Sequence, residues 1–251
     1  MHIMSELSHL GSFQNASMND FSAAFSAALS LLFGGDGELL EIVGLSLQVN
    51  VVAVFMATLI GMPLGAATAL YKFPGRKTLV VILNAMMGLP PVVVGLIVYM
   101  LLSRMGPFGV LGLLFTPTAM ITAQIILIVP IIAALSRQII EDLWNEYREQ
   151  LLSLGASPVR RMVTLLWDGR FALLTAVLAG FGRASAEVGA VMIVGGNIDH
   201  VTRVMTTSIA LEVSKGNLAL ALGLGIILIA LSLSVNASAF LLKEAAQRKQ
   251  A

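Results

Sequence analysis

Long stretches without an ionisable side chain alternate along this chain with short charged connections. Residues 42–71, 78–103, 105–136 and 216–242 contain no Asp, Glu, Lys or Arg. Each is long enough to cross a hydrocarbon core, which takes about 20 helical residues. A further segment, 171–194, is apolar except for Arg183 and Glu187. The pattern predicts an all-α integral membrane protein with spans near 44–71, 78–102, 116–136, 171–194 and 217–242. Residues 21–33 are also apolar, but they stop at Asp20 on one side and at Gly34-Gly35-Asp36-Gly37 on the other. They predict an interfacial helix, with a sixth span as the alternative. The domain reading is an external or interfacial segment over 1–41, a transmembrane domain over 42–245 and a short tail over 246–251.

Helix breakers lie inside the spans. Gly61 and Pro63 are expected to interrupt the first, Gly88-Leu89-Pro90-Pro91 the second and Pro130 the third. Proline removes a backbone donor and kinks a helix. In lipid the freed carbonyls need neighbouring helices or a water-filled cavity. Such breaks in three consecutive spans suit a transporter core better than an anchor. Small residues over 61–69 and 180–190 should allow helices to approach closely.

Between the third and fourth spans the pattern changes. From Arg137 to Leu154 apolar and charged residues recur at helical spacing, so Ile139, Ile140, Leu143, Trp144, Tyr147, Leu151 and Leu154 can share one face. Gly155 suits the left-handed position that ends a helix. Ser157 suits an N-cap and Pro158 the first position of a second helix. The loop over 137–170 is therefore a helix, a sharp turn and a helix. Two roles fit it: lying on the membrane surface, or docking a soluble partner.

Composition and charge narrow the class. The 251 residues are 57% hydrophobic and 12% charged, unlike a soluble domain, and a net charge of +1 offers nothing to nucleic acid. With no cysteine there is no disulfide, thiolate metal site or thiol nucleophile. The length leaves no room for an ATPase beside the spans. Lys and Arg fall eleven to three in favour of the loops containing Lys72, Arg137 and Arg170 and the tail, against the side holding Arg104, Arg203 and Lys215. The positive-inside rule then puts the N-terminus outside and the C-terminus in the cytoplasm. The first 71 residues hold no Lys or Arg, so no cleavable signal peptide is expected.

Glu149 and Gly155 are spaced E-x5-G, and "LGASPVRR" follows. This resembles the EAA loop of permease subunits of binding-protein-dependent ABC importers, roughly E-A-A-x3-G-x9-I-x-L-P. Gln150-Leu151 stand in place of the two alanines, and Leu165-Leu166-Trp167-Asp168 in place of I-x-L-P. The segment "FGRASAEVGAVMIVGGNI" resembles the molybdate, tungstate and sulfate permeases, in which R-x3-E-[FV]-G-A precedes G-N-I, and most of all the tungstate branch. The resemblance implies a type I importer permease in a bacterial-type plasma membrane, working as a homodimer. Its partners would be two cytoplasmic ATPase subunits, which hold Mg-ATP, and an external oxyanion-binding protein; the permease itself binds no cofactor. It also implies that the loop is a coupling helix, with Glu149 contacting the ATPase and Gly155 forming the turn. On chemical grounds Arg148, Ser157, Arg160 and Arg161 flank that contact.

Arg183 and Glu187 are four residues apart inside a span, so they can share a helix face and pair. A charge in the membrane is costly, and it faces an interior or a cavity. A structural pair is the preferred reading, and contact with a passing oxyanion the alternative. Asn84, Thr118, Thr122, Gln124 and Ser185 are candidates to line a polar route, each with helix–helix hydrogen bonding as the plainer role. A helix over 204–213 is a candidate outer gate and docking surface, and His200 reads as a solvated loop histidine. No metalloprotease, Walker A or nucleophile-elbow motif occurs, so the chain is not expected to be an enzyme. The reading is an importer of tungstate or molybdate, with a sulfate permease as the alternative. An ion-coupled secondary transporter or a membrane scaffold lies outside the class.

Overall fold

The computed structural model describes residues 25–26 and 37–248. Among these residues there are nine α-helices, one 3-10 turn and no strand. The interfacial helix expected over 21–33 lies outside the described residues except for Phe25 and Ser26, which are helical.

Two long helices form the centre: α1, Gly37–Leu70, and α4, Pro117–Ser153. They run side by side in the same direction, so that Asn50 meets Gln124 near one end and Gly65 meets Ala133 near the other. Their seam is made of small residues. A Cβ on Gly65 would stand 2.9 Å from both the Arg137 nitrogen and Ser136 Cβ, and would press harder still on the Ala133 carbonyl. In lipid such close contact supplies the van der Waals attraction that apolar burial cannot. Neither Pro63 nor Pro130 interrupts its helix, contrary to the sequence expectation. Each proline forfeits one backbone bond. Without water to compete for the remaining bonds, the packed neighbours keep the helix intact.

The second span does break. Helix α2, Arg76–Met86, and α3, Pro91–Leu102, meet at 105°. Pro90 takes the extended N-cap conformation and Pro91 the first helical position. At 11 and 12 residues, each is only about 17 Å long, so neither crosses a bilayer alone.

Beyond α4 come α5, Pro158–Asp168, and α6, Arg170–Ser185, bent by 74° around Gly169. A side chain there would meet Leu143 Cδ1 at 2.7 Å and the Leu165 carbonyl at 3.0 Å, so packing at this glycine sets the angle. The fourth span is also divided: α6 stops at Ser185 and α7, Gly189–Gly195, begins after a three-residue break. Helices α8, Met205–Ser214, and α9, Leu218–Arg248, complete the described residues. Among the described residues three helices (α1, α4 and α9) are long and apolar enough to cross a membrane, or up to five spans if each bent pair counts as one. Helix α9 is peripheral, with 22% of its apolar window buried against 50% for α4.

Candidate functional site: an exposed helical turn and a buried polar seam

Helix α4 does not end where the apolar run ends. It continues through Arg137 to Ser153, so the amphipathic segment is a rigid extension of the span. Ile139, Leu143, Trp144, Tyr147 and Leu151 pack with Ile140, Leu165 and Leu173 against the end of α1. Leu154, expected on the same face, is instead 81% exposed, because it lies past the last helical turn. Gly155 follows at φ +64° with open space around it, so its requirement is conformational. Ser157 Oγ accepts the Arg160 N–H and Pro158 opens α5.

The two faces of α5 differ. Met162, Leu165 and Leu166 turn inward. Val159, Val163 and Trp167, spaced four apart, form an outward apolar stripe and are 63%, 57% and 71% exposed. Arg148, Glu149 and Arg160 are exposed as well, with no ion pair among the described residues. Arg161 is held inward: its Nε donates to the Ala156 carbonyl at 2.7 Å and its guanidinium lies over Trp144.

A clasp at this end escaped the sequence reading. Arg76 Nε donates to the Thr68 carbonyl at 2.6 Å, at the negative end of α1, and its Nη2 reaches Glu141 Oε1 at 3.3 Å. Arg137 holds the other Glu141 oxygen at 2.6 Å. Tyr71 Oη donates to the Pro158 carbonyl at 3.1 Å. The end of α1, the start of α2, the α4 extension and the start of α5 are thereby tied together.

The second feature lies inside the bundle. Gln124 Nε2 donates to Asn50 Oδ1 at 3.0 Å, and Asn50 Nδ2 donates to Ser185 Oγ at 3.4 Å. Gln124 Oε1 is buried without a partner. Ser46 Oγ accepts the Met205 N–H at 2.8 Å, and Thr206 donates to the Glu187 carbonyl at 2.9 Å. Residues from α1, α4, α6 and α8 and the α6–α7 break therefore meet along one polar seam. Asn50 went unnoticed in the sequence, although an amide in an uncharged run is its own signal. The structure brings Gln124 and Ser185 together, but Asn84 is exposed on α2 and Thr118 is exposed at the start of α4. Thr122 bonds the Thr118 carbonyl of its own helix.

Arg183 Nη1 and Glu187 Oε2 pair at 2.8 Å, but not along one helix, since Glu187 sits in the break beyond α6. The second Glu187 oxygen accepts the Ala190 N–H at 2.9 Å and so caps α7. Glu187 is 3% exposed and Arg183 28%. One carboxylate thus neutralises the arginine and ends the helix break.

At the opposite end of the bundle the loop over 196–204 is tied to the start of α1. Arg203 bonds Asp199 at 2.6 Å and Glu38 at 3.5 Å. His200 is exposed in its loop, as expected, and its Nδ1 lies 2.8 Å from Glu41 Oε2. That hydrogen bond, and then the Glu41 charge, raise its pKa above the ordinary 6.5. The helix expected over 204–213 forms as α8, with Thr207 Oγ1 accepting the Val204 N–H. No cluster of metal-ligating side chains occurs among the described residues.

The family described as binding-protein-dependent transport system inner membrane component matches residues 61–248. A probable anion ABC transporter permease protein of Haloferax volcanii is 39% identical over 72% of this chain and 80% of its own length. Two tungstate uptake system permease proteins TupB are also similar. The one from Campylobacter jejuni is 38% identical over 78% of this chain and 82% of its own length. The one from Peptoclostridium acidaminophilum is 37% identical over 90% of this chain and 100% of its own length.

Proposed function

Because the chain belongs to the family of binding-protein-dependent transport system inner membrane components, we propose that it is the membrane-spanning subunit of an ATP-driven tungstate importer. Molybdate is the near alternative as cargo. Two copies form the translocation unit, with their N-termini outside. Two cytoplasmic ATPase subunits bind Mg-ATP, and an external protein delivers the oxyanion.

The observation that supports coupling is the outward stripe Val159, Val163 and Trp167 on a segment whose Arg148, Glu149 and Arg160 are also exposed. The charge pattern keeps this segment out of lipid, so its apolar surface needs a protein cover. Glu149 and Arg160 are free to pair with that partner, and Gly155 fixes the angle at which α5 is presented. Ser157 holds the start of α5, and Arg161 braces it against Trp144. Movement of the ATPase pair is transmitted through α5 and the clasp around Glu141 to α1 and α4. There it opens or closes the seam at Asn50, Gln124 and Ser185. Arg183 and Glu187 hold the α6–α7 break beside that seam.

Uptake of labelled tungstate tests the reading in cells that express the chain with its ATPase and binding protein. Uptake should require ATP hydrolysis, and Glu149→Lys should abolish it while leaving the permease in the membrane at normal levels. Uptake driven by an ion gradient without the ATPase would instead establish a secondary transporter.

A further inference from the structure

A cavity of about 470 Å³ opens beside the last turn of α3, at the end of the bundle where α1 begins. It is lined by Tyr99, Leu102, Ser103, Arg104, Leu114 and Phe115, with Gly109 and Gly112 closing it. The walls are fixed by backbone. Phe108 N–H donates to the Leu101 carbonyl at 3.0 Å, folding the loop back over α3. Gly109 packs so tightly that a Cβ would sit 2.9 Å from Arg104 Cα. Phe115, at φ +62°, donates its N–H to the Val194 carbonyl at 3.0 Å and sets its ring edge-on to Tyr99 at 6.2 Å.

The charge in this pocket is unbalanced. Among the described residues, Arg104, Arg203 and Lys215 stand at this end of the bundle, and two of these are neutralised: Arg203 by Asp199 and Glu38, and Lys215 by Glu212. Arg104 is exposed and has no ion pair or hydrogen-bond partner among the described residues. Its surroundings are apolar. Met105 and Val110 are 99% and 98% exposed, and Phe108, Leu111 and Phe115 are exposed beside them. This surface continues the outward face of α3, where Val92, Val93, Leu96, Ile97 and Met100 are exposed as well.

We propose that the cavity is a site for an anionic phospholipid, whose head, unlike that of a zwitterionic lipid, carries no cation of its own to balance the phosphate. Arg104 holds the headgroup phosphate, Tyr99 and Phe115 flank it, and the acyl chains run down the exposed face of α3. A lone cation at the top of an apolar face matches a molecule with an anionic head and an apolar tail. Arginine is suited to this because its planar donor fork binds phosphate oxygens in pairs. A free tetrahedral oxyanion shares the phosphate-like chemistry but not the apolar half, and Met105 and Val110 would stay exposed around it. Tyr99, with an apolar ring and a polar hydroxyl, suits an interfacial place beside such a headgroup. This site is independent of the transport reading.

The test uses the full chain in vesicles of phosphatidylglycerol and phosphatidylcholine at 1:3. A single cysteine at position 110 carries a fluorophore that brominated lipids quench, and the native chain has no other cysteine. Comparing brominated phosphatidylglycerol with brominated phosphatidylcholine gives the headgroup preference next to the loop. A preference of about fivefold is expected, the worth of one interfacial arginine. Arg104→Gln should reduce it to about one, and Arg104→Lys should retain only part of it, because lysine keeps the charge but not the paired donors. An unchanged ratio in Arg104→Gln overturns the proposal. So does loss of the preference on adding millimolar inorganic phosphate but not chloride of equal ionic strength, which would assign the site to a free oxyanion. Disulfide formation between unlabelled position-110 cysteines of two copies also overturns it, by putting protein rather than lipid on this face.

Discussion

The Arg183–Glu187 pair gives unequal expectations for its two halves. Arg183→Ala leaves the Glu187 carboxylate, 3% exposed, with only the Ala190 N–H against one oxygen. Breaking a buried pair from one side costs about 3–5 kcal/mol. Glu187 keeps its bond from the Ala190 N–H, so the lower end of that range applies. Glu187→Ala leaves the arginine, 28% exposed, without its partner, and it also orphans the Ala190 N–H, at about 1–3 kcal/mol. The double variant, Arg183→Met with Glu187→Ala, removes both charges and keeps only that orphaned N–H. It should therefore be more stable than Arg183→Ala alone. Thermal scans of the purified protein in detergent at one fixed rate read the order, at about 2–4 °C per kcal/mol for a chain of this size. Arg183→Ala should fall by roughly 6–12 °C, and the double variant should recover about half of that. Oxyanion uptake by the same variants separates structure from transport. If Arg183 touches the cargo, the double variant stays inactive after its stability returns, and Glu187→Gln transports as well as wild type or better. An Arg183→Ala protein as stable as wild type would falsify the structural role.

Gly65→Ala should destabilise the protein by about 1–3 kcal/mol, because its Cβ collides with α4 backbone that cannot yield; a thermal scan reads the loss. Gly155→Ala meets no atom, so its cost is the left-handed backbone alone, about 1–2 kcal/mol, and Gly155→Val should cost more. ATPase association should fall in that order while the membrane level of the permease holds. The His200 pKa is raised, so its tie to Glu41 stabilises the loop fully below the ordinary 6.5 and is lost as pH rises through the higher folded value. An NMR titration should show the His200 midpoint above 6.5, moving back toward 6.5 in Glu41→Gln. Single cysteines near Phe108 and Asp199 should react with an impermeant thiol reagent from outside, and one at Asn145 only after permeabilisation. Outside labelling at Asn145 would reverse the orientation.

Much of the architecture was legible because lipid makes composition a strict guide: uncharged runs mark buried length, and α1, α4 and α9 fall on them. The Gly155, Ser157 and Pro158 turn was legible for a different reason, since each residue type has a distinct backbone preference there. Pro63 and Pro130 were misread, unlike Pro90, Pro91 and Pro158, because they show a local preference while helix continuity is decided by neighbours. The break after Ser185 was hidden for a related reason. Glu187 looks like one more residue on a helix face until its carboxylate is seen capping the next helix. The seam and the clasp join positions far apart in sequence, such as Asn50 with Gln124 and Arg76 with Glu141, and no local pattern encodes such pairs.

The unbroken length of α4 has a mechanical consequence. A helix of 37 residues is a rod about 55 Å long, with Gln124 near one end and the exposed turn just past the other. Its one weak point is Pro130, where the Ile126 carbonyl has lost its backbone donor, so flexure concentrates there. From Pro130 to Ser153 the arm is about 35 Å, and a hinge of only about 10° carries its tip roughly 6 Å. The short side of the same pivot, from Pro130 to Gln124, is about 9 Å and moves by under about 2 Å. A bend at Pro130 would therefore let the surface arm swing while the segment carrying Gln124 stays seated, so a coarse stroke at the turn would reach the Gln124–Asn50 hydrogen bond only as the small remainder that the hinge does not absorb.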